Sequence, residues 1–213
     1  MVSTRGYTVV TDWLDARELE VLRTEAEILY EERLARYFTC SSPDAALVHN
    51  RGCVLETTSC SSLAPCLGTS GYLFNEQFVV KPPGVPAAAF PWHRDCQWLP
   101  QGGLADYISV WVALDDADSD NGGLLVAEEF HATSQSEEQP HKGRALSVKA
   151  GTAVVMSSHL WHSSGPNTSR HSRRAWMPQF SCSPITAAEG PVCLAVPMPE
   201  NDGTHRPGGH QGN

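Results

Sequence analysis

A chain of 213 residues with 41 % hydrophobic composition is long enough to build one domain around a core of its own. Its 15 Lys and Arg against 24 Asp and Glu give a formal charge of −9, which argues against general binding to nucleic acid or to an anionic membrane, since both reward basic surfaces. No run reaches the ~18 consecutive apolar residues of a spanning helix, the charged opening with Arg5, Asp12, Asp15 and Arg17 does not read as a secretory signal, and seven cysteines without a C-x-x-C pair argue against a disulfide framework or a zinc-thiolate site. The expectation is a soluble, membrane-independent domain over residues 1–196 with reduced thiols in a cytoplasmic setting. Oligomeric state is not readable from composition.

In chain order, Gly6-Tyr-Thr-Val-Val10 has strand-like density of β-branched residues. From Asp15 to about Tyr37, Leu19, Leu22, Ala26, Leu29, Tyr30 and Leu34 recur at helical spacing, which predicts an amphipathic helix capped by Asp15 with Glu18 completing a capping box. Residues 39–70 are rich in Ser, Cys, Thr and Gly without a period and read as loops with short strands. Short runs of β-branched and aromatic residues then follow at Tyr72–Lys81, Ile108–Leu114, Gly123–Ala127, Ala145–Val148, Ala153–Ser157 and Arg174–Phe180, separated by Pro, Gly, Asp and Asn. Many short, punctuated strands predict a mainly β fold, a sandwich, barrel or jelly roll over about 72–182, flanked by the N-terminal helical layer of about 15–37. Residues 132–143 read as a mobile loop, and the polar, Gly- and Pro-rich stretch 197–213 as a disordered tail.

His93-Arg94-Asp95 sets an imidazole and a carboxylate two residues apart, so on an extended strand both face one side and could share a metal ion. Alone the pair is weak, because a chain with 9 His and 24 acidic residues contains such a spacing about once by chance. A surface loop is the competing reading. A second cluster, Trp161-His162-Ser163-Ser164-Gly165-Pro166-Asn167, carries a strand end with turn chemistry, and Arg173-Arg174 opens the next apolar run. Two histidines and a carboxylate form a facial triad suited to non-heme Fe(II), and an arginine eleven residues after His162 offers a planar guanidinium for the distal carboxylate of a chelating diacid. Trp92, Trp98, Trp111, Trp161 and Trp176 either line an aromatic pocket or fill a β core. Arg94, Arg51 and Lys81 either anchor an anion or are simply solvated.

The order and spacing of these segments resemble the phytanoyl-CoA dioxygenase family. The resemblance runs loosely through Gly6–Val10 and the helix, and closely through Phe78-Val-Val-Lys-Pro-Pro83, Trp92-His-Arg-Asp95, Val110-Trp-Val-Ala-Leu-Asp-Asp116, Asn121-Gly-Gly-Leu-Leu-Val126, His162-Ser-Ser-Gly-Pro-Asn167 and Arg173-Arg-Ala175. It implies a double-stranded β-helix, a cupin-like jelly roll, with Fe(II), 2-oxoglutarate and O2 as reactants and a small-molecule substrate whose C–H bond is hydroxylated as succinate and CO2 are released. Carried over by position, His93, Asp95 and His162 are the metal ligands, Arg173 and Ser164 meet the oxoglutarate carboxylate, and Gln77 and Trp111 line the co-substrate pocket. Where the family has a Pro-Gly-Ser-His turn, this chain has Ala127-Glu-Glu-Phe-His131, retaining only the histidine. Asp95 stands where a related halogenating branch has a small residue, which disfavours halogenation. The rivals are a cupin-like metal enzyme using no oxo acid and a non-catalytic binding module. The primary substrate and the site of its oxidation are not encoded in these motifs.

Overall fold

The computed structural model describes residues 4–37, 47–49, 71–98, 107–128, 139–182 and 196–197. The expectations for most of 39–70, for the loop beyond 128 with His131, for Arg51 and for the tail lie outside these residues. Among the described residues, eleven strands and one long helix run in the order β1 (Tyr7–Val10), α1 (Ala16–Tyr37), β2 (Leu47–His49), β3 (Tyr72–Lys81), β4 (Phe90–His93), β5 (Tyr107–Ala113), β6 (Leu124–Val126), β7 (Arg144–Ala145), β8 (Ala153–Ser157), β9 (His162–Ser164), β10 (Arg173–Ser181) and β11 (Val196–Pro197). They form two antiparallel sheets. The larger has the order β1-β8-β5-β10-β3-β11 with β2 also on β3, and the smaller the order β4-β9-β6-β7. This is the jelly-roll architecture of the cupin-like double-stranded β-helix.

The helix begins where the sequence predicts. The Glu18 amide donates to Asp15 Oδ1 at 2.8 Å and the Asp15 amide donates to Glu18 Oε2 at 2.9 Å, so two otherwise orphaned donors are satisfied reciprocally. Leu22 and Ala26 bury against the outer face of the large sheet, in one cluster with Phe78, Val110, Val112, Trp176 and Phe180. Each large side chain so buried stabilises by about 1.5–3 kcal/mol. Arg23 Nε donates to Leu114 O at 2.6 Å and pins the helix to the end of β5. Among the described residues, no helix is long and apolar enough to cross a membrane.

A second cluster lies between the sheets and includes Tyr7, Trp111, Ala113, Val126, Val154, Met156, Ala175 and Met177. The large sheet is therefore covered on both faces, which explains why β5, Tyr-Ile-Ser-Val-Trp-Val-Ala, is buried at every position instead of alternating. Trp111, Trp161 and Trp176 are all buried, the first and last within these two clusters. One expectation changes. Ala145–Val148 does not form one strand: β7 is two residues long, and Val148 makes an isolated bridge to Ala117. The strands β4 and β9, which carry the histidines, lack the run of β-branched residues that would flag them.

Candidate active site

The antiparallel pairing of β4 with β9 sets His93 directly opposite His162, with ring centroids 4.2 Å apart. Asp95 is not on the same strand as His93, as the two-residue spacing suggested. The chain leaves β4 at His93 and turns into a short 3-10 segment, Asp95–Trp98. That turn, held by the Cys96 amide donating to Ser158 O at 3.1 Å, still brings the carboxylate to the imidazoles. Asp95 Oδ1 lies 3.5 Å from His162 Nε2 and 3.8 Å from His93 Nε2. Among the described residues, His93, Asp95 and His162 are the group whose ligating atoms converge within 4.8 Å of one another, the spacing a single metal ion needs.

Both imidazoles are held in one orientation. His93 Nδ1 lies 2.8 Å from Pro91 O and His162 Nδ1 lies 3.0 Å from Leu160 O. A carbonyl only accepts, so each Nδ1 carries the proton and each Nε2 turns a lone pair toward the shared centre. Burial, reinforced by the neighbouring His162, pushes the His93 pKa well down, so the imidazole is neutral at physiological pH. Asp95 is 3 % exposed. Its Oδ2 accepts a short hydrogen bond from Ser109 Oγ, and Ser109 Oγ in turn accepts from Gln179 Nε2 at 2.9 Å.

A cationic region lies further along the barrel. Arg173 on β10 is register-paired with Lys81 on β3, and both are essentially inaccessible. Arg173 Nη2 donates to Gly122 O at 2.9 Å, while its Nε and Nη1 are buried with no partner among the described residues. Its guanidinium carbon lies 5.5 Å from the Trp111 ring centroid. Burial lowers its affinity for a proton to about 10, with Asp115 opposing the shift. Lys81 Nζ donates to Ser164 Oγ at 2.7 Å, to Ser164 O at 3.2 Å and to Gly165 O. Burial, and then Arg173, pull its pKa down to about 7. Because Ser164 Oγ accepts from Lys81, its own hydrogen is left to donate elsewhere.

His162 and Ser164 are two residues apart on β9, so they share a face at roughly 6.6 Å separation. Gln77 and Trp111 are buried; Gln77 pairs in register with Met177 and Trp111 with Val154, so both sit in the rows between the two polar ends. The seven residues to which the resemblance gives site roles are all described, and the structure groups them into a triad at one end, a hydroxyl and guanidinium at the other, and a buried amide and indole between. The sequence leaves Lys81 as an anion anchor or a solvated cation, and its complete burial removes the second reading; the parts played by Ser109, Gln179 and Gly122 were missed. A lysine closing the apolar run Phe-Val-Val and polar residues inside Ile-Ser-Val and Pro-Gln-Phe were the available signals, since a buried polar side chain needs a partner.

Similarity to known proteins follows the same segments. The sequence profile of the phytanoyl-CoA dioxygenase (PhyH) family matches residues 2–175. A 2-aminoethylphosphonate dioxygenase from an uncultured bacterium, HF130_AEPn_1, is 30 % identical over 120 residues, covering 51 % of this chain and 45 % of that protein. The match thus spans less than half of that relative's length. Among solved structures, AviO1 from Streptomyces viridochromogenes Tue57 superposes with a TM-score of 0.64 at 21 % identity, over 88 % of this chain and 92 % of that one. The epimerase SnoN in complex with Fe3+, alpha ketoglutarate and nogalamycin RO does so with a TM-score of 0.61 at 16 % identity, over 92 % of each chain.

Proposed function

The chain belongs to the phytanoyl-CoA dioxygenase family, and from that premise we propose that it is an Fe(II)- and 2-oxoglutarate-dependent oxygenase that hydroxylates a C–H bond of a small molecule. The observation that carries this reading is the buried guanidinium of Arg173, whose Nε and Nη1 have no partner among the described residues, sharing a barrel with the His93, Asp95 and His162 cluster. A buried ionised group with donors left unsatisfied costs stability, so this one is best explained by a ligand that supplies the missing acceptors. A carboxylate fits, because its two oxygens match two guanidinium N–H groups.

Bound Fe(II) and 2-oxoglutarate supply the oxidation, in which O2 is consumed, the oxo acid is decarboxylated to succinate and CO2, and one oxygen atom enters the substrate. The residues of the chain do the remainder. His93 Nε2, His162 Nε2 and Asp95 Oδ1 would hold the metal through three neighbouring positions and leave the others for the oxo acid and O2. Arg173 would receive the distal carboxylate, with the Ser164 hydroxyl as a further donor. The separation of Ser164 from His162 suits a five-carbon diacid reaching from the metal to the cationic end. Gln77 and Trp111 would line the space between, and the apolar side chains of the inner cluster exclude water from it. Asp95 occupies the position that halide would need, which favours hydroxylation over halogenation.

A cupin-like metal enzyme using no oxo acid, or a non-catalytic module, has no use for Arg173. The discriminating experiment is anaerobic addition of 2-oxoglutarate to the Fe(II)-loaded protein, followed by admission of O2. A metal-to-ligand charge-transfer band and then iron-dependent succinate support the reading. Neither signal appears under either alternative.

A further inference from the structure

Three strands of the large sheet carry a hydrogen-bonded row of polar side chains that ends on Asp95. Gln179 on β10 is register-paired with Asn75 on β3 and with Ser109 on β5. Asn75 Nδ2 donates to Gln179 Oε1 at 2.7 Å, Gln179 Nε2 donates to Ser109 Oγ at 2.9 Å, and Ser109 Oγ donates to Asp95 Oδ2. The direction of the row is fixed from its end. An ionised carboxylate only accepts, so Ser109 must spend its one hydrogen on Asp95, and Gln179 must then present its NH2 to Ser109 and its carbonyl oxygen to Asn75. Ser109, Gln179 and Asp95 are 0 %, 6 % and 3 % exposed, so water does not substitute for these partners at low cost.

We propose that Ser109 and Gln179 are positioning residues that keep Asp95 a one-oxygen ligand: the row occupies Oδ2 and leaves Oδ1, the oxygen nearest both imidazole Nε2 atoms, as the atom offered to the metal. This rests on the metal-centre reading above. A carboxylate can bind a metal through one oxygen or through both. A second oxygen from Asp95 would take a position that a chelating oxo acid and O2 require. Burying an amide row beneath the carboxylate therefore protects vacancy at the centre, and it does so with neutral groups that leave the charge of the ligand set unchanged.

The test uses the full chain loaded with Co(II), whose visible absorption reports coordination number, together with the Co(II) dissociation constant and the thermal midpoint. Ser109→Ala is expected to weaken Co(II) binding on the order of tenfold to a hundredfold and to change the absorption envelope. Ser109→Thr, which keeps the hydroxyl, restores both. Gln179→Leu moves both in the same direction but less, and adds little to Ser109→Ala because the two act through one bond. A purely structural role would lower the thermal midpoint of each variant and leave the Co(II) spectrum of the folded fraction as in the wild type, which would overturn the proposal. Should Ser109→Ala not fold, the wild type still decides: metal-loaded minus metal-free infrared difference spectra should show the widely split carboxylate stretches of one-oxygen binding, and narrowly split stretches would overturn it. If His93→Ala leaves metal binding untouched, the centre itself has been misplaced. If His93→Ala abolishes binding while Ser109→Ala changes nothing, the centre stands and the role assigned to the row fails.

Discussion

Arg173 and Arg174 are consecutive on β10 and meet opposite environments. Arg173 points into the barrel at 1 % exposure with two guanidinium nitrogens that have no partner among the described residues, whereas Arg174 points outward and closes a bidentate pair with Asp115, Nε to Oδ2 at 2.9 Å and Nη2 to Oδ1 at 2.8 Å. Strand alternation alone forces the difference, since neighbouring residues face opposite sides.

Arg173→Ala should therefore weaken 2-oxoglutarate binding by about 2–5 kcal/mol, or roughly 30-fold to several thousandfold. Arg174→Ala should leave that affinity within about threefold and cost about 1 kcal/mol of stability through the loss of a partly exposed pair. Anaerobic titration of the charge-transfer band, with denaturant unfolding in parallel, measures both. Equal damage from the two variants would contradict an inward Arg173 acting on the co-substrate.

The metal assignment is checked without turnover. Under anaerobic conditions the wild type should bind close to one Fe(II), and His93→Ala or His162→Ala should each reduce its affinity by several orders of magnitude while far-ultraviolet dichroism is retained. Wild-type affinity in both variants would move the centre elsewhere.

Lys81 gives the co-substrate affinity a pH dependence of defined sign. The groups facing it are Arg173 from β10, the Ser164 hydroxyl and carbonyl from β9 with the Gly165 carbonyl beyond, and the Phe90 ring of β4. Its pKa falls from the ordinary 10.5 to about 7, chiefly by burial. An anion bound beside it raises that value, so binding takes up a proton and 2-oxoglutarate affinity falls as pH rises above about 7. The ligand-free fold shows the opposite slope. Between pH 7 and 9 the unfolded chain keeps the lysine proton that the folded chain releases, so this group makes stability rise with pH. Titrations and unfolding curves at pH 6, 7, 8 and 9 should diverge accordingly, and Lys81→Met should flatten both slopes.

Gly122 lies where Lys81 and the turn after β9 close on each other. Its φ is +77°, and a Cβ there would stand 2.6 Å from Gly165 O and 2.8 Å from Lys81 Cδ. Gly122→Ala should cost about 2–4 kcal/mol from the left-handed backbone and the overpacking together. Because the Gly122 carbonyl also receives Arg173, the same variant should weaken 2-oxoglutarate more than it weakens the metal. A variant of unchanged stability would contradict the packing.

Much of this was legible because it is local. Asp15 and Glu18 announce a helix start by chemistry confined to four residues, and the strands Tyr72–Lys81 and Ala153–Ser157 coincide with their hydrophobic runs residue for residue. The triad was legible through spacing and resemblance together, though the path was different: Asp95 reaches the centre through a 3-10 turn, and the meeting of His93 with His162 depends on a pairing between residues 69 positions apart in sequence. Ser109 and Gln179 stayed hidden for the same reason, and so did the burial of Lys81, which the sequence leaves open as an anion anchor or a solvated cation. Nothing near Ser109 in the chain says that Gln179 will lie across from it, because sheet order is decided by packing around the barrel rather than by any neighbouring residue.

Arg173 and Lys81 face each other across adjacent strands, and wherever Lys81 keeps its proton the two charges repel, a local debt of the ligand-free fold. An anion that settles between them removes the repulsion only in the folded chain, so by mass action it raises stability by about 2.7 kcal/mol at a hundred times its dissociation constant. Were 2-oxoglutarate that anion, the lifetime of the protein in a cell would be tied to the supply of its own co-substrate, because the empty form would open more often and be exposed to proteolysis. The cationic pair would then act as a fuel gauge written into the half-life of the chain.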